Sequence, residues 1–426
     1  MSNRFPRTDQ RRPTRRRVEG LDVARGVVAL VMVFGHAFDA WVSPAGKETT
    51  AYAVKRFLGT FPLPTFLLLA GIAVAWRVDA AVRRRESAGP LRRRLVRRGL
   101  QIVAMGYAAN LFYAALDGGR GLDALLRADV LHVIGLSIAG FAAIGVRGDP
   151  GEVPGDGDGA PPDLERLVRR GALLGAGVAL VSPLANVLGA EASGVARYPM
   201  ALLVEVPGGA GRMPVFPLAA WLAAGLVVGR LMLRARRGLP PGAPLPRSGT
   251  TPRMLGLLAA TGLLLAALGQ LATDALLGVF PGDFDRRHPA IWANLVDLGG
   301  RALVLIALAC WASTYLRGRL RWLLLTMGQH SLTAYVVHMP FAYGRFGRPV
   351  QGGLDPGEAM VGVLLLWTVT VGAVVLWARI RRAATTARTA QVPTPAAAVP
   401  PGGLGPDLTT APRSGRSAIS PHLRRR

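Results

Sequence analysis

One cysteine, Cys310, is all that the sequence offers toward sulfur chemistry. A lone thiol excludes a disulfide framework and any cysteine metal motif, and inside an apolar run it reads as a small buried hydrophobe. Acidic residues are few, 25 Asp and Glu against 51 Lys and Arg, for a formal charge of +26. Long polar stretches able to form a soluble domain of useful size are missing as well, so any activity has to lie among apolar segments. Those segments are long and continuous without period-two alternation, which favours helices over a β-barrel. No cleavable signal peptide is expected: a charged tail runs straight into a segment that carries Arg25 and lacks a convincing small-residue cleavage site.

What is present is hydrocarbon. The hydrophobic fraction is 51% and the mean hydropathy +0.33, high for a chain with this much arginine. Ten stretches approach the ~20 residues that cross a bilayer core. They cover about 20–42, 57–77, 98–116, 130–147, 171–190, 213–234, 253–279, 290–315, 322–344 and 358–379; the fourth is short and the fifth contains Pro183. The predicted fold is therefore all-α, a polytopic membrane bundle of about ten transmembrane helices. Arginines crowd the segments before residue 18, at 77–98, at 230–253 and after 379, while the intervening loops hold few. That alternation is the positive-inside signature and puts both termini in the cytoplasm of a multi-pass cell (inner) membrane protein. The basic excess then serves topology and contact with anionic lipids rather than nucleic acid. Three regions follow: a basic cytoplasmic tail (1–17), a membrane domain (18–382) and a Pro/Ala/Thr/Arg-rich disordered tail (383–426). The Gly/Pro/Asp-rich stretch 148–163 reads as a flexible cytoplasmic connector.

The first apolar segment, LDVARGVVALVMVFGHAFDAW at 21–41, carries Arg25 and His36. Ionisable groups in such a segment are costly and face a protein interior or a cavity. Eleven helical steps of about 100° bring His36 to within roughly 20° of Arg25 and roughly 16 Å along the axis. Asp22 falls on the same stripe. Counting ~1.5 Å per residue from the inner end of each span, His338 and Arg301 reach the depth of His36. Asp297 lies one turn outside Arg301 and can pair with it, and Asn110 lies somewhat deeper. These groups, with Tyr335, form a candidate polar cluster in the outer half of the membrane. Each also has a structural reading: Asp297–Arg301 as a neutralised packing pair, His338 with Tyr335 and Ser331 as an interfacial cluster, His36 as a cap. Pro62 and Pro64 either break the second span, leaving room for a substrate, or only bend it. Among the arginines heading the third span, Arg97 and Arg98 lie closest to any internal cavity and suit phosphate binding.

The Leu-Asp-x-x-Arg-Gly string at 21–26, followed by an apolar run ending in His36, resembles the opening helix of transmembrane acyltransferases. The arginine–histidine spacing is like that of acyltransferase family 3. The fuller pattern is similar to the bacterial heparan-alpha-glucosaminide N-acetyltransferase-like proteins, through PTFLLLAGIA from Pro64, LHVIGLS from Leu131, FPLAAWLAAGLVVG from Phe216 and MGQHSLTAYVVH from Met327 to His338. The resemblance implies a protein that moves an acyl group from a cytoplasmic acyl-CoA to an acceptor on the outer side. It casts His36 as catalytic base or acyl carrier and Arg25 as a donor-side or structural partner, and Arg25 can also hold Asp22 on the same stripe. The lysosomal sugar acetyltransferases of this group carry their key histidine in the first non-cytoplasmic loop; none stands between Ser43 and Arg56 here, so the role falls to His36.

Taken together, the expectation is a membrane acetyltransferase with acetyl-CoA or another acyl-CoA as donor substrate, no metal, and a carbohydrate or other hydroxyl or amine acceptor. A homo-oligomer is compatible with it. Acyl transfer needs a base near the acceptor and positive charge for the coenzyme phosphates, which His36 and the pair Arg97 and Arg98 can supply. A transporter or flippase with midplane charges, and a non-catalytic membrane scaffold, remain the alternatives.

Overall fold

The computed structural model describes residues 18–117, 121–148, 162–206, 213–239, 246–280 and 287–390, with side chains up to 384. The basic tail 1–17, most of the connector 148–163 and the chain after 390 lie outside the described residues. Two units divide the chain, Met1–Arg379 and Ile380–Arg426. Of the second, only the helical stretch through Ala390 is described, which includes residues where a disordered tail was expected to begin.

Among the described residues the regular structure is helical: α1 (Glu19–Trp41), α2 (Thr50–Gly59), α3 (Pro62–Arg83), α4 (Ala88–Leu116), α5 (Leu122–Leu125), α6 (Val130–Gly145), α7 (Leu164–Ala190), α8 (Arg197–Leu203), α9 (Val215–Arg237), α10 (Pro252–Val279), α11 (Ile291–Ala312), α12 (Gly318–Gln329), α13 (Ser331–Ala342) and α14 (Pro356–Ala390). Among the described residues, eight helical segments, α2 and α3 counting as one, are long and apolar enough to cross a membrane. The all-α polytopic fold stands, and two of the ten expected spans differ. The fourth, α6, has 16 residues, about 24 Å of helix against a ~30 Å hydrocarbon core. The ninth is two 12-residue helices, α12 and α13, interrupted at His330 with φ −120° and ψ 26°.

Local sequence explains several boundaries. Glu19 and Asp22 occupy the first turn of α1, where negative charge meets the positive end of the helix dipole. Pro62 and Pro64 stand in the first turn of α3, where a missing N–H costs nothing. The prolines therefore start a new helix after the break at Thr60–Phe61 rather than kink a continuous one. Asp163 caps α7 through Glu165 N–H at 2.8 Å and Arg166 N–H at 3.1 Å, and Thr251 caps α10 ahead of Pro252.

The first helix is central. It packs against α2, α3, α11, α12 and α13, and 72% of its most apolar window is buried, against 22% for α7 and α10. Leu173, Leu180 and Leu184 on α7, Leu264 and Leu271 on α10, and Leu364 and Leu365 on α14 are exposed, as expected where lipid is the solvent. The main apolar core joins Val23 and Ala24 to Leu67, Ile72, Leu222, Leu226 and Ile306, and a second one packs Phe34, Phe38 and Trp41 against Ala359, Val363 and Leu366 of α14. The backbones of α1 and α12 touch: a methyl group on Gly26 would overlap the Leu324 carbonyl, and one on Gly328 the Asp22 carbonyl. Small residues permit this close approach, the usual means by which membrane helices gain contact area.

The arginine-rich segments meet at one end of the bundle. There Gly20 N–H donates to the Arg247 carbonyl, Arg321 clamps Glu19, Arg237 and Arg83 pair with the buried Asp79, and Glu86 is shared by Arg77 and Arg94. At the opposite end the chain after α1 is stitched to residues 352–354 by Ser43 N–H to the Leu354 carbonyl and Leu354 N–H to the Trp41 carbonyl.

Candidate active site

Along α1 the polar side chains fall into two groups. Near its start Arg25 Nη1 donates to Asp22 Oδ1 at 3.0 Å, and Gln329 Nε2 reaches Asp22 Oδ2 at 3.5 Å. Asp22 is buried and Arg25 half-buried, so the guanidinium faces a partly open space with its charge neutralised at the α1–α12 contact.

Three turns further, His36 Nδ1 meets His338 Nε2 at 2.9 Å. The rings are stacked, with centroids 5.1 Å apart at 18°. His338 is fully buried, and its Nδ1 lies 2.8 Å from the Ala334 carbonyl. A carbonyl only accepts, so His338 Nδ1 carries the proton and Nε2 offers a lone pair. His36 Nδ1–H must then be the donor of the pair. The consequence is chemical: His36 Nε2 is left with a free lone pair, and gaining a proton there leaves the bond to His338 intact. A second histidine thus fixes the tautomer of the first, the role an orienting group plays for a general base.

Around the pair lie Tyr335, which the sequence places in the polar cluster, and further side chains outside that expected cluster. Tyr335, one turn before His338, stands edge-on to its ring at 5.9 Å and donates to Asp129 Oδ2 at 2.5 Å. Asp129 is the N-cap of α6, taking Val130 N–H at 2.7 Å and giving its own N–H to His132 Nδ1 at 3.0 Å. Arg127 stands 3.8 Å from Asp129. The His132 ring fills the space over Gly106, where a Cβ would collide with it, and meets the Tyr107 ring edge-on at 4.3 Å between centroids. One turn beyond His36, Asp39 accepts from Tyr52 at 2.6 Å, from Lys55, and from Tyr343 at 3.4 Å. The Tyr343 ring lies 5.6 Å from that of His36. A small cavity of about 50 Å³ opens here between Tyr113, Asp117, Arg127, Met339 and Tyr343. Signals for these residues exist: Asp129 precedes an apolar run with His132 at the third helical position, a capping pattern, and Asp39 follows His36 at i+3.

The remaining expected site residues are grouped differently. Asn110 donates to the carbonyls of Leu125 and Arg127 at 3.2 and 2.9 Å, holding the loop ahead of Asp129. Asp297 and Arg301 pair as i,i+4 spacing suggests, in a two-pronged bond with both distances 2.6 Å. Arg301 also donates to Gln270 at 3.1 Å and lies over the Phe57 ring. The contacts described for these two residues thus lie among α10, α11 and α2, away from His36 and His338. Equal depth did not bring them together because depth says nothing about which way a helix face turns. Arg97 lines an open cavity of about 480 Å³ with Arg92, Arg93 and Gln101 above Leu100 and Ala143. Arg98 is exposed and not part of that lining.

These features define a multi-pass helical membrane protein whose central helix carries a histidine held by a second, buried histidine. Residues 17–144 match the family model for the catalytic domain of heparan-alpha-glucosaminide N-acetyltransferase. The matched stretch takes in Asp22, Arg25, His36, Arg97, Arg98 and Asp129. It bears out the resemblance to that family and does not speak for acyltransferase family 3. No curated protein matches the chain.

Proposed function

We propose that the protein is a membrane acetyltransferase that moves an acetyl group from cytoplasmic acetyl-CoA to a hydroxyl or amine of a carbohydrate or other acceptor on the far side of the cell membrane. The observation that carries this reading is the His36–His338 contact, which leaves His36 Nε2 as a free base inside a helix matched to an acetyltransferase family. In the reaction the acceptor oxygen or nitrogen attacks the thioester carbonyl while its proton passes to His36 Nε2. The C–S bond breaks, and the proton goes on to the coenzyme sulfur, which leaves as the thiol. A positioned general base typically contributes about 10²–10⁴ in rate to such a step. At the arginine-rich end, Arg97, with Arg98 beside it, would hold the coenzyme phosphates, Arg97 from the cavity it shares with Arg92 and Arg93. Arg25, bound to Asp22 on the same helix as His36, lies between that end and the base and would steer the pantetheine arm.

The test is transfer of labelled acetyl from acetyl-CoA to glucosamine, and separately to N-acetylglucosamine, by the full chain in nanodiscs. Transfer that His36→Ala abolishes supports the reading; full activity in that variant overturns it. The helix break at His330 also suits a transporter, since such folds build sites at discontinuous helices. Substrate flux without acetyl-CoA consumption would favour that alternative.

A further inference from the structure

His338 can orient His36 only if α13 is itself held in rotation, and α13 is a short helix that starts at a break. Its 12 residues follow the non-helical His330, and Pro340 interrupts its hydrogen bonding. One turn before His338 the same helix carries a side-chain polar tie to α6. The Tyr335 phenol donates to Asp129 Oδ2 at 2.5 Å, and the same residue's ring stands edge-on to His338. Asp129 in turn is immobilised at the head of α6, through Val130 N–H at 2.7 Å, the bond from its own N–H to His132, and the nearby Arg127. Asn110 holds the Arg127 carbonyl from α4 at 2.9 Å. The path therefore runs from α4 and α6, through a fixed carboxylate and a phenol, to the face of α13 that meets α1.

We infer that Asp129 and Tyr335 are positioning residues for the histidine pair, holding His338 Nε2 against His36 Nδ1 and so fixing the tautomer of His36. A phenol–carboxylate bond suits this task because a charge-assisted hydrogen bond is stronger and shorter than a neutral one. The tie is more than general packing, since it acts on the ring that sets the proton on His36. Active constellations tolerate displacements of only about 0.5 Å, so loss of the phenol–carboxylate bond bears directly on the placement of His338. The charged groups facing the pair are Asp129 from the α6 side, Asp39 from α1 and Lys55 from α2. Of these, Asp129 is the one bonded to α13.

The inference rests on the acetyltransferase reading for its kinetic consequences, and a second readout is independent of it. In the full chain in nanodiscs, Tyr335→Phe is expected to lower kcat for acetyl transfer by about 10- to 100-fold with KM for acetyl-CoA unchanged. In a His338→Ala background the same substitution should have no further effect. Independently, 15N NMR of histidine-labelled protein should show His36 in one neutral tautomer in the wild type and in a mixture of tautomers in Tyr335→Phe. Asp129→Asn, which retains a capping oxygen, should give a smaller change of the same kind. Unchanged kcat together with unchanged His36 resonances in Tyr335→Phe overturns the inference, as does a full additional loss in the His338→Ala background. If wild-type protein transfers no acetyl group while the tautomer still depends on Tyr335, the positioning role stands and the acetyltransferase reading falls.

Discussion

His36 and His338, 302 positions apart in sequence, share a hydrogen bond of 2.9 Å, and the second nitrogen of His338 is tied to the Ala334 carbonyl of its own helix. The direction of that bond follows from the carbonyl, which can only accept. The free lone pair of the two rings is thereby left on one nitrogen, Nε2 of His36.

This makes the two histidines unequal. His36→Ala is expected to reduce acetyl transfer by about 10²–10⁴-fold, the contribution of a general base. His338→Ala should cost less, because His36 remains and samples both tautomers. The double variant should be no worse than His36→Ala alone, as for groups that act as one unit. Rates of labelled acetyl transfer in membranes check all three, and additive losses would show that the pair does not work together.

Arg97 and Arg98 are exposed, so their action on a phosphorylated donor should be electrostatic and screened. Replacing both with alanine is expected to raise KM for acetyl-CoA about 10-fold with little change in kcat, each charged hydrogen bond being worth roughly 1.5–3 kcal/mol before screening. The wild-type KM should rise with ionic strength, and the variant's should rise less. Titration of acetyl-CoA at two salt concentrations measures both effects.

The α1–α12 contact gives a stability prediction. Gly328→Leu forces a side chain against the Asp22 carbonyl and Gly26→Val does the same at Leu324. Either should cost about 1–3 kcal/mol as an overpacked contact, seen as a lower thermal midpoint in detergent. Both should also lower activity, since they displace the helix that carries Arg25 and His36.

Asp79 supplies an asymmetric case. Its carboxylate is fully buried (0% exposed), whereas its partners Arg83 and Arg237 are 55% and 62% exposed. Removing the acid, as in Asp79→Asn, frees guanidiniums that water can solvate, so the loss should be about 1 kcal/mol. Removing both arginines strands a buried charge and should cost roughly 3–5 kcal/mol. Thermal unfolding of the two variants distinguishes them, and the reverse order would contradict the burial of Asp79.

Much of the bundle was legible because hydrophobic length is a one-dimensional property. The spans at α1, α4, α9, α10 and α11 follow directly from runs of apolar residues, and local pairs such as Asp22–Arg25 and Asp297–Arg301 follow from i,i+3 and i,i+4 spacing. The break at His330 was hidden, since Gly328 and His330 sit in an apolar stretch and the backbone departs from helix there where it meets α1. Asn110 was expected near the histidines and instead serves the loop at Leu125–Arg127, because its partners are carbonyls, which carry no sequence signal.

The sequence by itself determined that this is an all-helical membrane chain, which segment is rich in costly ionisable groups, and that Arg25 and His36 share a helix face. Those are consequences of composition and of a 3.6-residue period. Only the tertiary structure decided that His36 is held by His338 rather than by Arg301, and that Asp129 and Tyr335 complete the arrangement. Depth along a helix can be counted from the chain, but the rotation of one helix against another is set by packing at close contacts such as Gly26–Leu324. That rotation selects which polar groups meet.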